Sequence, residues 1–187
     1  MKFPRLITLL AAVVSVTAEA KIVSGVEVPD TLAIQQTELQ LNGAGVRSKF
    51  FMDLYVGSLF TSLPSTEAAS LIRGDQPSAI RLNITSSMIT KEKLADALNE
   101  GFNNATDGNT TPIDSSINRF VEMTFANDIS EGDQFTLVSA PEIGIYSYKN
   151  GEMLALVEGD AFRRALLSVW LGDKPTDKSL KKAMLSQ

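Results

Sequence analysis

The stretch Ile143-Gly144-Ile145-Tyr146-Ser147-Tyr148-Lys149-Asn150-Gly151-Glu152-Met153-Leu154-Ala155-Leu156-Val157-Glu158 decides the fold class. Asn150-Gly151 lies between two apolar, alternating runs, the strongest short-range signature of a β-hairpin. Upstream, Phe135 to Ser139 has the composition of another strand. Downstream, Asp160 to Leu171 places Phe162, Leu166, Leu167 and Trp170 on or near one helical face. Gly172 stops that helix and Pro175 blocks its continuation. A last short helix is expected over Asp177 to Leu185.

The earlier chain extends the pattern. Lys21 to Val28, Glu38 to Val46, Phe50 to Phe60 and Ser78 to Ser86 have strand character, with Ile80, Leu82 and Ile84 on one face of the last. A tight connection around Ser48-Lys49 is expected between the second and third of these. Ser65 to Ile72 is a short helix capped by Ser65 or Thr66. Thr90 starts a helix carrying Leu94, Ala97, Leu98 and Phe102, and Pro112 opens another through Ile117, Phe120, Val121 and Phe125. Strands and helices in mixed order, with a late hairpin, give an α+β fold with a mainly antiparallel sheet. Its core should include Leu41, Leu82, Leu98, Phe120, Phe162 and Leu166.

Composition narrows the chemistry. The chain has 187 residues, 44% apolar and 21% charged, enough for one domain with a sizeable core. The formal charge is −5 without clustered Lys and Arg, so no nucleic-acid footprint is present. There is no Cys and no His. Disulfides, thiolate nucleophiles, Ser–His pairs and sites with Cys or His metal ligands are therefore excluded, and neither a metal nor a cofactor is expected.

Met1 to Ala20 has the anatomy of a secretory signal peptide. Lys2 and Arg5 form the basic region, Leu6 to Val16 the apolar region, and Ala18-Glu19-Ala20 the small-x-small cleavage site. The apolar run is too short to span a bilayer, which takes about 20 residues. Residues 21–187 are then the mature domain, without a transmembrane segment, exported to a periplasm or secreted. Cleavage removes two positive charges and one negative, leaving −6.

Two residues stand out as candidate ligand contacts. Arg47 follows Gly43-Ala44-Gly45-Val46, where the glycines permit close approach to the backbone. An Arg there either holds a carboxylate in its fork or snorkels to solvent from a strand end. Tyr55 either donates to a ligand oxygen or satisfies its hydroxyl within the core. The bland readings prevail elsewhere. Gly43-Ala44-Gly45 lacks the rest of a dinucleotide fingerprint, Glu131-Gly132-Asp133 is a solvated turn, and Trp170 is core rather than a stacking platform.

Gly43-Ala44-Gly45-Val46-Arg47, followed by Tyr55-Val56-Gly57-Ser58-Leu59-Phe60, resembles the chalcone isomerase superfamily. So does Gly144, then Asn150-Gly151, then Gly159-x-x-Phe162-x-x-Ala165-Leu166-Leu167-x-x-Trp170-Leu171-Gly172-x-x-Pro175. The exported bacterial branch is the most similar. The resemblance implies an open-faced β-sandwich, in which a large antiparallel sheet packs against helices with a ligand cleft between them. Plant chalcone isomerases polarise their substrate with an Arg, matched by Arg47, and support it with hydroxyls. Leu54 and Val169 stand at two of those hydroxyl positions, which implies that chalcones are not cyclised. Fatty-acid-binding relatives hold the ligand carboxylate with an Arg and a Tyr, matched by Arg47 and Tyr55. The implied function is non-catalytic binding of a fatty acid or similar small amphipathic carboxylate. An isomerase or intramolecular lyase on another substrate, or a partner-binding module with a vestigial cleft, remains open.

Overall fold

A computed structural model describes residues 20–34 and 36–187. The signal-peptide expectation, apart from Ala20, lies outside the described residues. The elements are β1 (Ala20–Val23), β2 (Val26–Pro29), β3 (Thr31–Ile34), β4 (Thr37–Lys49), β5 (Met52–Thr61), α1 (Ala68–Arg73), β6 (Ser78–Ile84), α2 (Lys91–Ala105), α3 (Asp114–Thr124), β7 (Gln134–Ala140), β8 (Gly144–Lys149), β9 (Glu152–Glu158), α4 (Asp160–Leu171) and α5 (Lys178–Met184). A single 3₁₀ turn, Thr111–Ile113, holds Pro112 and leads into α3.

Strands β3 to β9 form one seven-stranded sheet in chain order, with every neighbouring pair antiparallel. Strands β1 and β2 pair only with each other. Alternation of side chains gives the sheet two apolar faces. One carries Leu59, Ile80, Leu82, Phe135, Leu137 and Val157 against the helices. From that side α2 contributes Leu94, Leu98 and Phe102, α3 contributes Ile117 and Phe120, and α4 contributes Phe162, Leu166 and Trp170. The other face gathers Val56, Phe60, Ala79 and Val138 with Val28 of the small hairpin and Leu32 of β3. This is the α+β architecture expected from the sequence. Of the six expected core residues, five are buried and Leu41 is partly buried in the second cluster.

Several local expectations are corrected. Lys21 to Val28 is two strands, because Ser24-Gly25 takes up two positive φ values and turns the chain back. The β4–β5 turn is Phe50-Phe51, two residues beyond Ser48-Lys49, and β5 begins at Met52. Helix α1 starts at Ala68 after Glu67, without a side-chain cap. Glu131-Gly132 form the exposed turn expected, but Asp133 at its end is largely covered. It pairs with Lys149 at 2.8 Å and accepts from Ser130 N and Asn150 Nδ2, tying the turn before β7 to the β8–β9 hairpin.

Arg163 of α4 carries no local sequence signal, yet it is fully buried. Its Nη2 donates to Ile72 O at 2.9 Å and Arg73 O at 3.0 Å, its Nη1 to Ser139 Oγ, and its Nε to Asp160 Oδ1. It therefore satisfies the open carbonyls at the end of α1 and locks that helix to α4.

Helix α5 lies across β4 and β5, and glycines admit it. A Cβ at Gly43 would stand 2.1 Å from Ala183 O, and one at Gly45 2.6 Å from Ala183 Cβ. The group that approaches these glycines is thus a helix of the chain itself, not a ligand. Asn42, the extra residue of a bulge in β4, secures the helix end by donating to Met184 O at 2.7 Å.

Candidate functional site

Arg47 and Tyr55 are direct cross-strand partners in the β4–β5 pair. Residues opposite each other in an antiparallel pair share one face, and here it is the helix-covered one. Immediately beyond them the register slips, so that Ser48 opposes Asp53 and Leu54 is left over as a bulge residue. A bulge re-aims side chains. It lets Leu54 and Tyr55, neighbours in sequence, both reach the same cavity.

That cavity encloses about 690 Å³ between the open end of β4–β5, helix α2, the last turn of α4 and Pro175-Thr176. Its apolar wall includes Leu54, Ile89, Leu94, Ala97, Leu98 and Val169. Gly101 brings α2 against α4, since a Cβ there would meet Val169 Cγ1 at 2.6 Å. Lys49, Phe50, Met52, Met88 and Lys93 also border the cavity and carry solvent-exposed surface.

The polar end is a connected set. Trp170 Nε1 donates to Tyr55 Oη at 3.0 Å. Tyr55 is buried, and burial pushes its phenol pKa up to about 12, against the opposing pull of the Trp170 hydrogen bond and the Arg47 charge. The hydroxyl therefore keeps its proton through the neutral range and, accepting from Trp170, retains that proton for donation. Arg47 Nη1 donates to Ser48 O at 2.8 Å and to Asp177 Oδ2 at 3.1 Å. Both partners of that ion pair are mostly covered, with side chains 17% and 16% exposed.

The two residues singled out from sequence thus stand side by side in the lining of one cavity. Leu54 and Val169 also line it, and neither offers a donor. Trp170 is core, as expected, but its indole N–H also orients Tyr55. Asp177 was legible only as the start of a helix. Its place beside Arg47 depends on α5 folding back over β4, which no local pattern announces. Among the described residues no group of three or more His, Cys, Asp or Glu is placed to hold a metal ion.

Residues 20–186 match the sequence model of the chalcone isomerase-like family. No curated protein matches the chain significantly. Among solved structures, a fatty-acid binding protein from Arabidopsis thaliana superposes with a TM-score of 0.71 at 17% identity, covering 87% of this chain and 92% of that one. At such identity the likeness is one of fold.

Proposed function

This chain belongs to the chalcone isomerase-like family, and on that premise we propose that it binds a fatty acid or a similar small amphipathic carboxylate without transforming it. The observation that carries the reading is the pairing of Arg47 and Tyr55 beside the apolar wall of a cavity that Lys49, Lys93, Asp96, Glu100 and Asn104 also line. The Arg supplies charge in a planar fork and the Tyr a neutral donor, while Leu54, Leu94, Leu98 and Val169 accept an alkyl tail. The volume falls in the roughly 300–1,000 Å³ range of small-molecule sites. The structural neighbour that binds fatty acids supports the ligand class. Leu54 and Val169 favour binding over catalysis, because neither can donate a hydrogen bond to developing charge.

The same proposal includes export. The basic region, apolar run and Ala18-Glu19-Ala20 site support removal of residues 1–20 and delivery to a periplasm or beyond the cell. N-terminal sequencing of protein recovered from cell fractions tests this, and an intact Met1 in the cytosolic fraction would refute it.

Ligand binding is tested by native mass spectrometry of the protein purified from its own cells, followed by titration with the fluorescent fatty acid cis-parinaric acid. A co-purifying lipid mass and saturable binding are expected. Protein without bound lipid that also fails to bind the probe would overturn the reading.

A further inference from the structure

The β4–β5 turn is built against the preferences of its own residues. Among the described residues, two other hairpins have two-residue turns with positive φ at both positions. They are Ser24-Gly25, at 47° and 80°, and Asn150-Gly151, at 52° and 87°. Each places glycine second, as that turn favours. In the β4–β5 hairpin the same two positions are Phe50, at 51°, and Phe51, at 66°. A bulky side chain at positive φ is disfavoured, and here no burial offsets it. Phe50 is 77% exposed and Phe51 107%. Neither local conformation nor the core of this chain accounts for two phenylalanines at this tip.

The tip also stands at the entrance to the cavity. Phe50 and Met52 border it, together with Met88 and Lys93 from the facing side. Both methionines are exposed as well. Lys49 Nζ lies 5.7 Å from the Phe50 ring centroid, so a cation sits directly behind the aromatic pair.

We propose that the Phe50-Phe51 tip inserts into the interfacial layer of a lipid bilayer and sets the cavity mouth against the membrane, so that an amphipathic ligand passes between bilayer and cavity. Shape favours a bilayer over a protein partner. A two-residue wedge with two nearby methionines offers a few hundred Å² at roughly 150–250 Å² per aromatic. A stable protein interface takes about 800 Å² from each side. Aromatic rings concentrate at the membrane–water boundary, and a Lys behind them can extend its stem along apolar surface to reach lipid phosphates. The formal charge, −5 for the whole chain and −6 without residues 1–20, gives no long-range attraction to an anionic surface, so attachment depends on the tip. Passage of a ligand rests on the binding function proposed above, whereas docking of the tip does not.

Natively processed protein is floated with vesicles of phosphatidylethanolamine and phosphatidylglycerol and compared with Phe51→Gly. Phe51 is not among the residues that border the cavity, and glycine suits its positive φ. The variant should unfold at the same or a higher temperature and bind vesicles at least about tenfold more weakly, as expected for loss of one inserted aromatic side chain. The double variant F50N/F51G, which installs the favoured turn pair, should abolish flotation. Wild type that stays off the vesicles, or F51G that floats as well as wild type, would overturn the proposal. So would a wild-type dimer that F51G disrupts in the absence of vesicle binding, since a second copy would then cover the tip. Titration with cis-parinaric acid in vesicle-free buffer is the separate arm. Wild type that floats but takes up no probe upholds the docking tip and sinks the proposed cargo.

Discussion

Asp177 holds Arg47 and a helix with the same carboxylate. Its Oδ2 lies 3.1 Å from Arg47 Nη1. Its Oδ1 accepts from Ser179 N at 2.8 Å and Leu180 N at 3.0 Å, capping α5. Helix α5 packs on β4 through Gly43 and Gly45, so the cation of the candidate site and the helix beside it are fixed by one residue. The arrangement also sets a competition, because a ligand carboxylate that reaches Arg47 meets an acceptor already in place.

Asp177→Asn separates the two tasks. Asn caps helices about as well as Asp, so α5 should stay folded while the negative charge disappears. Affinity for cis-parinaric acid is expected to rise about fivefold to thirtyfold, which corresponds to about 1–2 kcal/mol. Asp177→Ala should gain similarly at the ligand but lose about 1 kcal/mol of stability with the cap. Unchanged or weaker binding in Asp177→Asn would show that the ligand head does not approach Arg47.

Arg47→Ala and Tyr55→Phe should part company in their effects. Removing Arg47 should weaken a carboxylate ligand by about 2–5 kcal/mol, because a covered carboxylate loses its charge partner. Removing the Tyr55 hydroxyl should weaken binding by only about 0.5–1.5 kcal/mol. It should also lower stability by about 1–3 kcal/mol, since the buried Trp170 Nε1 loses its acceptor. Equal probe affinity in wild type and both variants would make the pair purely structural. Denaturant titration of Tyr55→Phe tests the stability half independently.

Alkaline titration gives a third expectation. The Tyr55 pKa is pushed up to about 12 by burial, above its ordinary 10.0. Between those values the folded state binds more protons than the unfolded state, so stability falls as pH rises. The contribution is fully present below about pH 10 and is lost as pH climbs through about 12. Tyrosinate absorbance should show Tyr55 ionising only at strongly alkaline pH or on unfolding. Tyr55→Phe should remove that late titration and flatten the alkaline loss of stability. A variant whose alkaline unfolding follows wild type would place the late-titrating group elsewhere.

What could be read from sequence divides along physical lines. Asn150-Gly151 declares its turn because both positions need positive φ, and the helix starting after Thr90 is announced by a cap that accepts from Lys93 N. Phe50-Phe51 misleads for the converse reason. Phenylalanine is a strand former by composition, and nothing nearby signals that this pair turns the chain. Arg47 and Tyr55 could be singled out by type, whereas their common face required the register of β4 against β5 and the bulge at Leu54. Asp177 lies 130 residues from Arg47 along the chain. Such a pairing is set by the packing of α5, not by any local spacing.

Ala97 offers the most direct test of where a ligand tail would lie. It borders the cavity from α2, yet it is solvent-exposed and not part of the buried core. A large side chain there can fill cavity space without displacing packed neighbours, in contrast to Gly101, where even a Cβ would strike Val169. Ala97→Trp should therefore fold with a thermal midpoint close to that of wild type. Surface substitutions of this kind usually change stability by no more than about 0.5 kcal/mol. Binding of cis-parinaric acid should fall at least about tenfold, because the indole would occupy space that several methylenes of the tail otherwise bury, at about 0.8 kcal/mol each. Ala97→Ser, which adds little volume, should bind as wild type does. A folded Ala97→Trp protein with wild-type affinity would mean that the tail takes another route and that the cavity between α2 and the β4–β5 end is not the ligand site.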